Sequence, residues 1–168
     1  KEDRRYDIIE ADAILPESSH SGLLYSAEFI EQVRARLAPG GIYVQWAPSQ
    51  RAAETFASVF PHTILLMPVA VLIGSNDPIP FDPGRLAEAF ESAAASAHLR
   101  RGNPALADWS ALFAHPALVW TPETPRSAAP LSDVFPRDEF YLNNPVVTTD
   151  VYARRARPDL AEGGATMP

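Results

Sequence analysis

The stretch YDIIEAD at residues 6–12 decides the fold class, together with the run IYVQW at residues 42–46. Both runs are mostly apolar without clean alternation, which is typical of parallel strands covered by helices on both faces. Between them, a helix is predicted that begins at Ser26, places Leu37 on its apolar face and ends at the Pro-Gly-Gly of residues 39–41. Strand, helix and strand in this order predict a parallel crossover, and therefore an α/β domain.

Shorter runs further along the chain predict additional elements. Residues 50–60 have helical apolar spacing, whereas the runs 62–67 and 69–73 are rich in β-forming residues, with Pro68 between them. We expect these two runs to form a tight antiparallel hairpin at an edge of the sheet. A short strand is expected at residues 119–120.

Asp82 followed by Pro83 marks a helix start, because these are an N-cap residue and the residue favoured at the first helical position. The apolar spacing predicts one helix from there to about His98, with Leu86 and Phe90 buried. Proline-rich sequence follows. We therefore divide the chain into a sheet domain, a helical and loop extension packed on it, and a flexible tail, at residues 1–82, 83–153 and 154–168.

The composition fits a globular domain and excludes several kinds of site. Of 168 residues, 46% are hydrophobic and 21% are charged, which is close to the globular average. The net charge of −7 argues against nucleic acid and fits a cationic or neutral partner. There is no cysteine, so disulfides, thiolate metal sites and a cysteine nucleophile are excluded. No apolar run is long enough to span a membrane, and we expect no membrane contact by this chain itself.

Two candidate site positions follow from the predicted sheet. Ligands of open parallel sheets bind beyond the carboxyl ends of the strands, and both Asp12 and the pair Gln45-Trp46 lie at such ends. A carboxylate at Asp12 can hold a cation or accept a proton, and it can equally cap a turn, so both roles stay open. The serines beside His20 lack a nucleophile-elbow motif, and the four histidines lack metal-ligand spacing, so no metal site is predicted.

A series of short motifs runs through residues 6–82, about half of the chain. They are Tyr6-Asp7-Ile8-Ile9-x-x-Asp12, Pro16, Leu23-Leu24-Tyr25-x-x-Glu28-Phe29, Leu37-x-Pro39-Gly40-Gly41 and Gln45. In this order they resemble the spermidine synthase family of polyamine aminopropyltransferases, and its divergent bacterial members in particular. The resemblance implies the C-terminal half of a Rossmann-like, class I methyltransferase-like sheet, ending in the antiparallel edge hairpin.

The resemblance also implies an activity, the transfer of an aminopropyl group from decarboxylated S-adenosylmethionine to a polyamine. An ammonium group has no lone pair, so the acceptor amine must lose a proton before it attacks the carbon beside the sulfonium. The family has its catalytic aspartate where this chain has Leu15, which cannot accept a proton. Glu17 and His20 are the nearby side chains that could replace it, and the catalytic residue stays unknown from the sequence.

Binding roles follow from the same resemblance. Asp12, Pro16 and Leu24 match positions on the nucleoside side of the family's site. The amine side is matched by Asp12, Gln45, Trp46 and Tyr141.

The family's glycine-rich cofactor loop and its acidic partner have no match in this chain. We therefore expect the main S-adenosyl-binding elements to lie outside it, with an upstream domain of the same protein or a homo-oligomer as partner. The expected location is cytoplasmic, with a membrane domain upstream as an optional tether. Two other interpretations stay open: an S-adenosylmethionine-dependent methyltransferase-like enzyme, which does not need the missing aspartate, and a non-catalytic Rossmann-like binding or assembly module with an unpaired sheet edge.

Overall fold

The computed structural model describes residues 4–11, 21–67, 70–102, 117–125 and 130–134, and these form a mixed α/β fold. A 3₁₀ helix, Ser21–Tyr25, precedes the first α-helix. The remaining elements are, in chain order, β1 (Tyr6–Ala11), α1 (Ala27–Arg34), β2 (Leu37–Trp46), α2 (Gln50–Val59), β3 (His62–Leu66), β4 (Val71–Ser75), α3 (Pro83–Glu91), α4 (Ala93–Gly102) and β5 (Leu118–Trp120).

The described strands form one sheet in the order β1-β2-β4-β3-β5. β1 and β2 are parallel with α1 between them, so the predicted parallel crossover is confirmed. The other three pairings are antiparallel. The predicted hairpin of β3 and β4 is also present, but its predicted place at an edge is wrong, because β4 pairs with β2 and β3 pairs with β5. Strand order depends on pairings between distant segments, which local sequence patterns do not encode.

β1 is an edge strand of the described sheet, and its expected burial is not observed. Tyr6 and Ile8 are 42% and 64% exposed, whereas Ile9, on the opposite face of the strand, packs partly against the core. Consecutive strand residues point to opposite faces, and from Ile8 to Ala11 exposed and partly buried residues alternate, whereas the first three residues of β1 are all exposed. The outer edge of β1 is open among the described residues.

The end of α1 also differs from the sequence prediction. The helix begins after its N-cap Ser26 as expected, but it ends at Arg34, and Leu37 opens β2 opposite Tyr6 instead of extending the helix. Leu37 is apolar enough for a helix face or a strand, and its burial within the sheet decides between them. The Pro-Gly-Gly segment therefore lies inside β2, where the pairing register shifts between Tyr6 and Ile8.

The core lies between the sheet and α2. Tyr43 of β2 stacks on Phe56 of α2 with ring centroids 5.4 Å apart, and Phe60 completes the cluster 5.0 Å from Phe56. All three side chains have no exposed surface, and Ala53 beside them is equally buried. The predicted helix at residues 50–60 and its apolar face are thus confirmed.

The predicted helix at residues 83–98 is divided into two helices. Asp82 is the N-cap of α3, as expected, and its side chain accepts a hydrogen bond from the Arg85 amide at 3.1 Å. The backbone of Ser92 is not helical, with a ψ of 143°, and its hydroxyl accepts a hydrogen bond from the Ala95 amide at the start of α4. No residue of α3 is buried, so the expected burial of Leu86 and Phe90 is wrong and both are half-buried.

Candidate functional site

The candidate site lies where β1 and β2 end side by side. Ala11, the last residue of β1, pairs with Gln45 of β2, so the chain leaves both strands at the same end of the sheet. We call this end, where the parallel strands terminate, the carboxyl edge, and parallel sheets bind their ligands there. Beyond it, the chain continues from the end of β2 through residues 47–49 into α2, whose N-cap is Ser49.

Gln45 connects this edge to the 3₁₀ helix. Its side chain is 2% exposed, and Nε2 donates a hydrogen bond of 2.9 Å to the carbonyl oxygen of Leu24. Gln45, which is predicted on the amine side of the site, is therefore in direct contact with Leu24, which is predicted on the nucleoside side. A buried amide held in this way has a fixed orientation, because releasing it would leave a polar group unpaired in the interior.

Trp46 is separated from Gln45 by the geometry of the strand. It is the next residue of β2, so its side chain points to the other face of the sheet, where it is half-buried. It pairs with Val71 of β4 and packs against the core. The structure brings Gln45 and Leu24 together but places Trp46 on the opposite face.

The N-terminus of α1 follows the 3₁₀ helix and is capped by Ser26. The Ser26 hydroxyl donates to the Leu23 carbonyl at 2.9 Å and accepts from the Phe29 amide at 3.2 Å. The Ala27 amide donates to the Leu131 carbonyl at 2.9 Å. Because Leu131 is far away in sequence, a distant segment completes this helix end.

That distant segment is residues 130–134, which we call the strap. The Leu131 amide donates to Thr55 Oγ1 of α2 at 2.8 Å, and its side chain, 1% exposed, packs with Tyr25 and Ala52. At the other end of the strap, the Asp133 amide donates to Glu28 Oε2 at 3.1 Å. The strap therefore ties α1, α2 and the 3₁₀ helix together beside the candidate site.

Tyr43 of β2 is a buried titratable group. Among the described residues its hydroxyl has no hydrogen-bond partner. Burial raises the pKa of the Tyr43 phenol far above its ordinary value, and the nearby Tyr25 adds to the rise. The group is therefore neutral at physiological pH and is not a proton acceptor.

Most of the residues that the sequence predicts to be catalytic or substrate-binding lie outside the described residues. Leu15 and the catalytic candidates Glu17 and His20 lie outside the described residues. The same is true of the binding candidates Asp12, Pro16 and Tyr141. Sequence reasoning missed Thr55 and Leu131, since nothing local in the sequence signals a hydrogen bond across 76 residues.

Two further properties of the described residues bear on function. No group of three or more histidine and carboxylate side chains among them could hold a metal ion. None of the helices in this part of the chain has the length and apolarity that a bilayer crossing requires.

Comparison with known proteins adds no assignment. No protein-family model matches the sequence, and no curated protein matches it.

Proposed function

We propose that this chain is the amine-binding half of a spermidine synthase-like domain, which transfers an aminopropyl group from decarboxylated S-adenosylmethionine to a polyamine. The observation that carries the proposal is the contact between the Gln45 amide and the Leu24 carbonyl. It joins two separate motifs of the family series at the carboxyl edge of the sheet. Ala11, which immediately precedes Asp12, is paired with the same Gln45. A cytoplasmic location is part of the proposal.

The strand order supports the proposed fold. β4 is antiparallel to both β2 and β3, so β2 and β3 run in the same direction with β4 inserted between them. The resemblance implies a parallel strand–helix–strand unit followed by an antiparallel hairpin, and β1, α1 and β2 followed by β3 and β4 have this order. A partial Rossmann-like sheet, with β1 and β2 as its parallel strands, is therefore the architecture we propose.

The proposed reaction assigns distinct roles to the predicted residues. The Asp12 carboxylate holds the ammonium of the acceptor, and a nearby base, Glu17 or His20, takes the proton from the attacking nitrogen. The nitrogen lone pair then forms a bond to the carbon beside the sulfonium, the carbon–sulfur bond breaks, and a neutral thioether leaves. The Gln45 amide, fixed by Leu24, orients the acceptor from the edge of β2.

The open edge of β1 is the proposed attachment surface for the S-adenosyl-binding half. A groove of about 480 Å³ lies along it, lined by Ile8 on one face of the strand, by Ile9 on the other and by Val33 of α1. A ligand that touches both faces of an edge strand lies in the plane of the sheet, which favours another β-strand as occupant. The proposed source of that strand is an upstream domain of the same protein.

The test is an aminopropyl-transfer assay on the native polypeptide isolated from its source cells. It is incubated with decarboxylated S-adenosylmethionine and either putrescine, spermidine or agmatine, and products are identified by mass spectrometry. We expect one aminopropylated amine, and at least a tenfold loss of kcat/KM in Asp12→Asn. The matched control is Asp7→Asn, an exposed aspartate near the start of β1, which we expect to retain activity. Absence of product with every amine would overturn the proposal.

The exposed edge also favours a second candidate, a non-catalytic assembly module. Ile8, 64% exposed, would then lie in the interface between copies of the chain. Sedimentation of the native polypeptide separates the two candidates. Self-association that is lost in Ile8→Lys, with no transfer activity, supports assembly, whereas a monomer with transfer activity supports the enzyme.

A further inference from the structure

We propose that Thr55 is a positioning residue: by holding the strap, it fixes the 3₁₀ helix and through it the side-chain amide of Gln45. The role in catalysis rests on the proposed function, whereas the mechanical link between Thr55 and Gln45 does not. Thr55 and Leu131, which hold the strap in place, are 76 residues apart in sequence, and no motif connects them.

The link begins at the Thr55 hydroxyl. It is fully buried, donates to the Arg51 carbonyl at 2.7 Å and accepts from the Leu131 amide at 2.8 Å. Both functions of the hydroxyl are used, so no other group is needed to satisfy it. If the hydroxyl is removed, the buried Leu131 amide loses this acceptor. A buried donor without its partner destabilises the fold by more than the hydrogen bond itself contributes, because the donor has also lost its contact with water.

The side chain of Leu131 continues the link. Its amide and carbonyl are held by α2 and α1 respectively, so the side chain has a fixed position over the 3₁₀ helix. There it packs with Tyr25, which is itself 2% exposed. Leu131 therefore covers the last turn of the 3₁₀ helix.

Tyr25 connects Leu131 to the candidate site. Tyr25 directly follows Leu24, whose carbonyl oxygen holds the Gln45 amide. A displacement of Tyr25 moves that carbonyl oxygen and lengthens or breaks the hydrogen bond. Misplacing a binding group by about 1 Å can cost on the order of 100-fold in rate, so a remote tether of this kind is able to control the site.

The experiment compares Thr55→Val, which keeps the shape of the side chain, with Thr55→Ser, which keeps the hydroxyl. Hydrogen exchange is measured by NMR on the native polypeptide at the Leu131 backbone amide and at the Gln45 side-chain amide. We expect exchange at both positions to rise about tenfold in Thr55→Val, the factor that corresponds to one lost buried hydrogen bond. Thr55→Ser is expected to restore most of the protection at both.

Thr63→Val is the matched control for general destabilisation. Thr63 is 1% exposed and donates to the Phe60 carbonyl at 3.5 Å, away from the strap. We expect Thr63→Val to leave the Gln45 amide protected. Should Thr55→Val fail to fold, Glu28→Ala releases the exposed end of the strap and is expected to raise exchange at both amides about twofold.

Two outcomes would overturn the proposal. One is a Thr55→Val protein in which Leu131 exchanges faster while the Gln45 amide remains protected, and the other is an equal loss of Gln45 protection in Thr63→Val. With an active native enzyme, Thr55→Val is expected to raise KM for the acceptor amine at least threefold, and Thr55→Ser to reverse this. If the wild-type polypeptide transfers nothing, the proposed function fails while the exchange measurement still tests the link.

Discussion

Gly74 of β4 lies so close to the ring of Phe56 in α2 that a Cβ at position 74 would be 2.5 Å from Phe56 Cε1. The added Cβ would also be 2.6 Å from Cγ and Cδ2 of Phe60. Non-bonded carbon atoms prefer about 3.5–4.0 Å, so any side chain here would push α2 away from the sheet. The missing side chain of Gly74 is therefore what allows the aromatic cluster with Tyr43 to close.

Gly74→Ala is expected to lower the free energy of unfolding by about 1–3 kcal/mol, because an extra methyl group over-packs a closed core. Gly84→Ala is the matched control, since a Cβ there would meet a single atom, the N-cap oxygen Asp82 Oδ1, at 3.3 Å, which a shift of a few tenths of an ångström relieves. In that helical position alanine is expected to be neutral or to stabilise by up to about 1 kcal/mol. Urea denaturation of both variants is the measurement, and equal effects would show that Gly74 has no special packing role.

Tyr43→Phe is expected to leave the free energy of unfolding unchanged or to raise it by up to about 1 kcal/mol. The hydroxyl is buried without a partner among the described residues, so its removal takes away a desolvated polar group while the ring remains. Tyr43→Ala, which also removes the stacking on Phe56, is expected to cost about 3–5 kcal/mol. Denaturation at neutral pH compares the two, and a loss above about 1 kcal/mol in Tyr43→Phe would reveal a partner for the hydroxyl.

The raised pKa of Tyr43 predicts that the protein loses stability at alkaline pH. Burial raises the pKa of folded Tyr43, whereas the unfolded residue titrates near its ordinary value of about 10. Above that pH the unfolded chain binds fewer protons than the folded one, so the free energy of unfolding falls as pH rises. The slope from this group approaches about 1.4 kcal/mol per pH unit and is absent below about pH 9. Denaturation curves from pH 8 to 11 should show wild type losing stability relative to Tyr43→Phe, and parallel curves would contradict the prediction.

The parts of the fold that local sequence specifies were predictable. Ser26 and Asp82 are recognisable as N-caps because a short polar side chain before an apolar helical stripe is a local signal. The fate of Leu37 was not predictable in the same way. Its apolar side chain suits a helix face as well as a strand, and pairing with Tyr6 of another strand decides the outcome.

The residues of the candidate site were likewise predictable only in part. Gln45 and Leu24 could be selected because each belongs to a recognisable motif, and the structure places them in contact. Thr55 looked like an ordinary residue of an amphipathic helix, and Leu131 lies in proline-rich sequence without periodicity. Their hydrogen bond depends on the tertiary approach of two segments, which a single sequence does not display.

The two adjacent glycines inside β2 are expected to respond differently to alanine. Gly40 has a φ of +72° and donates its amide to Asp77 Oδ2 at 2.7 Å, while a Cβ there would meet nothing within 4 Å. Gly40→Ala therefore carries backbone strain alone, about 1–2 kcal/mol. At Gly41 a Cβ would stand 2.9 Å from the carbonyl oxygens of Ala38 and Tyr6, which are backbone atoms and cannot turn away.

Gly41→Ala is therefore expected to cost more than Gly40→Ala and to loosen β1 specifically, because it pushes against Tyr6. The sensitive readout is hydrogen exchange at the Tyr6 amide, which donates to the Arg36 carbonyl at 2.9 Å where β1 begins. Protection there should fall strongly in Gly41→Ala and little in Gly40→Ala. Gly40→Asn serves as control, since asparagine tolerates the left-handed conformation and should cost less than alanine. Equal exchange in the two alanine variants would mean that the shift in register between β1 and β2 does not depend on the missing Cβ of Gly41.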